Sequence, residues 1–131
     1  FAGRKFAHMP FEVVPTPGLP KAGQFSHVVR KGKFVFISGQ TAKPEAEEGN
    51  LDPRAQADRV FTYLREAIIA AGGKMDDIVK INIYLSEQFP AILELRPQYF
   101  SPPYPAATTV VVTGMANPSI VLEIEAIAIL D

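Results

Sequence analysis

The chain predicts an α+β domain in which two helices cover one face of a mixed β-sheet. Three observations carry that expectation. Strand-like and helix-like runs follow one another in the order β-β-β-α-β-α-β-β. The stretch between Asp52 and Gly73 repeats its apolar residues at helical spacing. The last stretch, Ile120 to Leu130, alternates as a strand does. With 131 residues, 47% hydrophobic and 21% charged, the chain can bury a core without help from metal or disulfide. One domain spanning 1–131 is expected, with no linker and no internal repeat.

The elements follow from local chemistry. Residues 1–23 form an irregular N-terminal arm, because Pro10, Pro15, Pro17, Gly18 and Pro20 leave room for at most a short strand at Phe11 to Val14. Ser26 to Arg30 and Lys33 to Ser38 are apolar and β-branched, and Lys31-Gly32 between them signals the tight turn of a hairpin. Thr41 to Leu51 reads as a polar surface loop. Asp52 followed by Pro53 starts a helix, since the carboxylate caps free amides and proline suits the first helical position. Val60, Phe61, Leu64, Ala67, Ile68 and Ala71 form its apolar stripe, and Gly72-Gly73 end it. Asp77 to Ser86 is a strand in which Ile78, Lys80, Asn82 and Tyr84 alternate with an apolar face of Val79, Ile81, Ile83 and Leu85. A second helix spans Phe89 to Phe100, interrupted or bounded by Pro90 and Pro97. Ser101 to Pro105 is a rigid connector into a strand at Ala106 to Thr113, and Ile120 to Leu130 is the last strand.

Composition narrows the function. Net charge is −1 and Lys and Arg are scattered, so no basic stripe marks a nucleic-acid partner. No run approaches the roughly 18 to 20 apolar residues of a membrane span, and a soluble protein is expected. The absence of cysteine rules out disulfides, Cys-ligated zinc and thiol nucleophiles. The opening Phe-Ala-Gly-Arg-Lys-Phe-Ala has no apolar signal core, which points to the cytoplasm. His8 and His27 lack the Asp or Cys spacing of a metal site, and no phosphate-loop or dinucleotide pattern is present.

Strands at Phe34 to Ile37, Val110 to Val112 and Ile120 to Leu130 carry apolar residues on both sides. Two helices cover one face only, so self-association is expected to cover the other. Along the last strand Leu122, Ile124, Ala126 and Ala128 face one way, and Val121, Glu123, Glu125, Ile127 and Ile129 the other. Two carboxylates thus interrupt an apolar face. Each must be hydrated, paired or raised in pKa. Alternation alone allows a structural ion pair as well as a proton-handling group.

The segments Val35-Phe-Ile-Ser-Gly-Gln40, Ile69-Ala-Ala-Gly-Gly73, Asp76-Asp-Ile-Val-Lys-Ile-Asn-Ile-Tyr-Leu85, Tyr104-Pro-Ala and Leu122-Glu-Ile-Glu-Ala-Ile-Ala128 resemble, in that order, the Rid family (RidA/YjgF, reactive intermediate deaminases). The likeness runs from Gln24 to Ala128. It implies a chorismate-mutase-like fold, a homotrimer, and small-molecule pockets at subunit interfaces. It further implies hydrolysis of reactive imines and enamines to keto acids and ammonia, without a cofactor, by water that a glutamate positions or activates.

Carried over by position, the resemblance makes Glu123 the water-handling glutamate and Glu125 its structural neighbour. Ser38 and Gly39 match a pocket-wall turn whose backbone can contact ligand. Phe25 falls where active members carry tyrosine, Thr109 where cysteine is common, and Tyr104 where phenylalanine is common. Ala107 falls where the family motif Pro-Ala-Arg places the arginine that binds the substrate carboxylate. Charge-assisted bonds of that kind contribute roughly 1.5 to 3 kcal/mol each, so their loss corresponds to about a hundredfold or more in transition-state binding. Arg96 is the nearest basic residue in sequence and reads first as a solvated helix-face residue, with Arg30 or Lys80 as cations arriving from strands. Two functions stay open: a divergent imine or enamine hydrolase, and a non-catalytic trimer that binds a small molecule or a protein. The family's historical description as a ribonuclease or translation inhibitor finds no basic groove in this chain.

Overall fold

In a computed structural model the described residues are 10–50 and 52–131, so residues 1–9 of the predicted arm, His8 among them, lie outside them. Six strands form one sheet: β1 (Glu12–Val13), β2 (Val28–Lys31), β3 (Phe34–Gln40), β4 (Ile78–Leu85), β5 (Ala106–Val111) and β6 (Leu122–Ile129). Their spatial order is β1-β2-β3-β6-β4-β5, and every pair is antiparallel except β4 with β5. The sheet is mixed, as the order of elements predicts. Among the described residues no helix is long and apolar enough to cross a membrane.

The β2–β3 hairpin turns on Gly32 and Lys33, one residue later than expected, with Lys31 opposite Phe34. Gly32 has φ +59°, a left-handed conformation that glycine adopts without steric cost. The helix expected after Asp52 runs Pro53–Ala70 (α2 in chain order), and Asp52 Oδ2 accepts from the Ala55 amide at 3.1 Å. Its apolar stripe is buried: Val60, Phe61, Leu64, Ala67 and Ile68 have no exposed surface. Phe61 stacks on Tyr99 at 5.0 Å and meets Phe100 edge-on at 6.1 Å, which docks the helix Ala91–Tyr99 (α3) beside α2. Truncating a fully buried Phe of this kind costs about 3 to 5 kcal/mol.

Three expectations need correction. Thr41 to Leu51 is not loop throughout, because Lys43–Glu47 forms a short helix, α1. Pro44 fits its first turn, Ala46 is buried, and Glu45 is held from α2 by the Tyr63 hydroxyl at 3.1 Å and Arg59 at 3.5 Å. Burial, then the Glu45 hydrogen bond, pushes the Tyr63 phenol up to about 12. The described residues therefore hold three α-helices rather than two. Second, α3 is shorter than Phe89 to Phe100, running Ala91–Tyr99, with Pro90 bounding its start and Pro97 inside it. Third, the parity of β4 breaks at its start. A register shift between Ile78 and Lys80 leaves Val79 41% exposed and turns Ile78 into the core with Ile81, Ile83 and Leu85.

Only two polar side chains are buried among the described residues, Gln40 and Gln56. Gln56 donates to the carbonyls of Asn50 and Ser119 and accepts from the Val121 amide at 3.1 Å. It ties the segment entering β6 to α2. Gln40 donates to Ser38 O and His27 Nδ1, and His27 Nε2 donates to Pro20 O. The opposite face of the sheet is open: Phe34 is 50% exposed, Phe36 and Ile129 are exposed beside it, and Val110 is exposed farther off on β5.

Candidate active site

Strand β6 sends Leu122, Ile124, Ala126 and Ala128 into the core and Glu123, Glu125 and Ile127 to the open face, as alternation predicts. The two carboxylates have different surroundings. Glu125 accepts from Asn82 Nδ2 at 3.3 Å and from the Tyr84 hydroxyl at 3.1 Å, and that hydrogen bond raises the Tyr84 phenol above its ordinary value. Glu123 accepts no hydrogen bond from any described residue. It is half-buried, and burial, reinforced by the charge of Glu125, raises its carboxyl above the ordinary carboxylate range. A carboxylate without a partner and with a raised pKa is suited to exchange protons.

The wall beside Glu123 comes from β3. The ladder between β3 and β6 slips between Ile37 and Gln40, so Ser38 and Gly39 bulge opposite the carboxylates. Ser38 is fully engaged within the chain. Its hydroxyl donates to Ser26 O at 2.6 Å, its amide to His27 O at 2.9 Å, and its carbonyl accepts from Gln40. Gly39 is the position of close approach: a Cβ there would lie 2.6 Å from Glu123 Cδ and 2.8 Å from Cγ and Oε2. Phe25 packs edge-on against His27 at 5.3 Å and shares with Gly39 and Gln40 a cavity of about 420 Å³.

The remaining site residues lie on the other face. Ala107 is opposite Ile81 and Thr109 opposite Ile83 in the parallel β4–β5 pair, whereas Glu123 is opposite Tyr84 in the β4–β6 pair. Ile81 and Ile83 are core, so Ala107 and Thr109 share the helix side of the sheet and Glu123 the open side. Two strand spacings, about 10 Å, add to that separation. One chain therefore sets Gly39 against Glu123, with Ser38 next to it in the chain and Phe25 in the cavity that Gly39 lines, and groups Tyr104, Ala107 and Thr109 elsewhere.

This second group borders α3. One cavity, about 280 Å³, is lined by Ile81, Leu93, Arg96, Tyr104, Pro105 and Ala107. A second, about 480 Å³, is lined by Phe89, Leu93, Arg96, Thr109 and Val111 among others. Arg96 is not a solvated helix-face residue. It is half-buried, its Nη2 donates to Thr109 Oγ1 at 2.7 Å, and burial lowers its pKa. Arg30 instead donates to Gly32 O and Ala71 O, and Lys80 to Thr108 on the open face, so neither reaches Ala107. Sequence reasoning missed Asn82 and Tyr84 as holders of Glu125. Their alternation marked a polar face, but only the pairing of β4 with β6 reveals the partner.

Among the described residues no group of three or more His, Asp or Glu side chains is arranged to hold a metal ion. The family model described as Endoribonuclease L-PSP matches residues 17–130. A Dermatophagoides farinae protein named 2-iminobutanoate/2-iminopropanoate deaminase is 34% identical over 93% of this chain and 98% of its own length. A RutC family protein of Pyrococcus abyssi is 31% identical over 89% of this chain and 95% of its own. The crystal structure of RidA from the Antarctic bacterium Psychrobacter superposes with a TM-score of 0.83 at 35% identity, over 91% of this chain and 99% of that one. With strands β2 to β6 and all three helices inside the matched range, the chain belongs to the Rid (RidA/YjgF) family.

Proposed function

We propose that this protein hydrolyses a small reactive imine or enamine, with Glu123 handling the water. The observation that carries this reading is the unpartnered, half-buried Glu123 carboxylate set against Gly39. The named activity of the 34% identical relative supports it. In its ionised form Glu123 accepts a proton from water as the oxygen attacks the C=N carbon of an iminium. The proton then passes to the amine nitrogen of the tetrahedral adduct. The C–N bond breaks as the adduct's hydroxyl gives its proton to the Glu123 carboxylate, leaving the carbonyl, and the departing ammonia takes that proton from Glu123. An enamine first needs a proton on carbon, which the protonated form of Glu123 supplies; burial raises the carboxyl and so favours that form. None of these steps needs a cofactor.

The reading includes a homotrimer. The open face exposes Phe34, Phe36 and Ile129 side by side on β3 and β6, an apolar surface suited to burial against another subunit. Glu123 and Thr109 lie on opposite faces of the sheet, so a shared pocket is completed by a neighbouring subunit. The test is ammonia release from imines generated by an amino-acid oxidase, with Glu123→Gln as the control. Acceleration over buffer in the wild type only supports the reading; equal rates with and without the protein refute it.

A second reading, a binding-only member, is favoured by the apolar side chains of Phe25, Leu93 and Ala107 along the cavities. Under that reading, ligands raise the thermal midpoint without product appearing.

A further inference from the structure

We infer that Arg96 is the anion-binding residue of the cleft between α3 and β5, and that the ligand it takes is a monocarboxylate with an apolar body. The inference deepens the hydrolase reading, on which its link to turnover rests, but its binding arm stands apart from turnover. The guanidinium is half-buried, and its Nε is buried with no hydrogen-bond partner. It has no carboxylate within ion-pair distance among the described residues, and the nearest acid on its own helix, Glu94, pairs with Arg54. A partly desolvated cation with a buried, unpartnered Nε and one neutral partner is well satisfied by an anion.

The surroundings set the class of that anion. Arg96 lines both the 280 Å³ and the 480 Å³ cavity, and neither is lined by another charged residue. One positive charge matches one negative charge, which favours a carboxylate over a phosphate dianion, and the planar fork suits it geometrically. Thr109 Oγ1 holds the guanidinium against β5, while the small side chain of Ala107 leaves the space beside it open. Leu93, Phe89, Tyr104 and Pro105 then supply apolar walls for a body of several carbons.

The test is calorimetric titration of the full chain with hexanoate, hexanamide and inorganic phosphate, on wild type, Arg96→Gln and Arg96→Lys. Expected is hexanoate binding roughly tenfold or more tighter than hexanamide, a preference lost in Arg96→Gln and partly kept in Arg96→Lys. If Arg96→Gln does not fold, as judged by circular dichroism, Thr109→Val provides the second arm and is expected to weaken hexanoate several-fold. Acid and amide binding alike, phosphate binding more tightly than hexanoate, or variants that bind hexanoate as the wild type does would each overturn the inference. Hexanoate binding that depends on Arg96 in a protein that releases no ammonia leaves this site standing and removes the hydrolase reading. Ammonia release with KM unchanged by Arg96→Gln does the reverse.

Discussion

The Glu123 side chain lies so close to Gly39 that a methyl group on Gly39 would stand 2.6 Å from the carboxyl carbon. The glycine is needed for that approach rather than for an unusual backbone angle, since its φ is not in the left-handed region. Gly39→Ala therefore displaces the carboxylate. Overpacking costs about 1 to 3 kcal/mol, and because the crowded atoms end a flexible side chain, the loss should fall at the low end. The expected outcome is a protein that still folds, with a modest fall in thermal midpoint and at least a roughly tenfold fall in kcat/KM, about the effect of one misplaced catalytic group. Turnover equal to the wild type would contradict this placement.

Glu123 also gives stability a pH signature. Its folded pKa is raised by burial and by Glu125, so the folded state keeps a proton over an interval where the unfolded chain has released it. The stability tied to that proton is complete below the ordinary glutamate value, about 4.3, and is lost as pH rises through the folded pKa. Glu123→Gln, which removes the charge, should melt higher than the wild type near neutral pH and lose that advantage in acid. Thermal midpoints across a pH series would show it, and the opposite order would count against a desolvated carboxylate.

Gln56 offers a test of the frame behind the site. It is fully buried and bonds three backbone groups, at Asn50, Ser119 and Val121. Gln56→Leu keeps the volume but leaves those groups unpaired, at a cost of about 2 to 4 kcal/mol. Chemical denaturation should show that loss, and the entry to β6 should exchange amide hydrogens faster. A stability change below about 0.5 kcal/mol would mean that the loop finds other partners.

Local chemistry made much of this legible. Asp52-Pro53 and Gly72-Gly73 bracket α2 because a cap, a proline and a helix stop act within one turn of chain. The alternation of β6 placed Glu123 and Glu125 on one face for the same reason. What escaped depended on distant partners. Lys43–Glu47 looks like loop until Tyr63 and Arg59 of α2 hold Glu45. Val79 breaks its strand's parity through a register shift against β6 that no pattern within β4 announces. The family resemblance implied pockets at subunit interfaces lined by Glu123 and Ala107, and the order β3-β6-β4-β5 sets these two on opposite faces of one chain's sheet. Arg96 looked solvated because sequence spacing does not reveal that α3 lays it across Thr109.

That opposition leads to a prediction about subunits. If each pocket joins the open face of one subunit to the cleft of its neighbour, Glu123→Gln and Arg96→Gln damage different halves of it. Refolding the two inactive variants together should restore activity at roughly a quarter of the pockets, the share in which both intact halves meet under random mixing. No recovery, in mixed oligomers verified by mass, would place both residues in one subunit's pocket. Under the proposed trimer, Phe36→Glu, on the exposed apolar face, should shift the mass by light scattering toward monomer.

The most direct measurement is the rate of ammonia release from freshly generated imines, with wild type and Glu123→Gln at equal concentration. The account predicts a clear acceleration over buffer by the wild type, and a fall of about a hundredfold or more in the variant, the range expected for losing a positioned general base. A wild type no faster than buffer, or a Glu123→Gln protein as fast as the wild type, would contradict it.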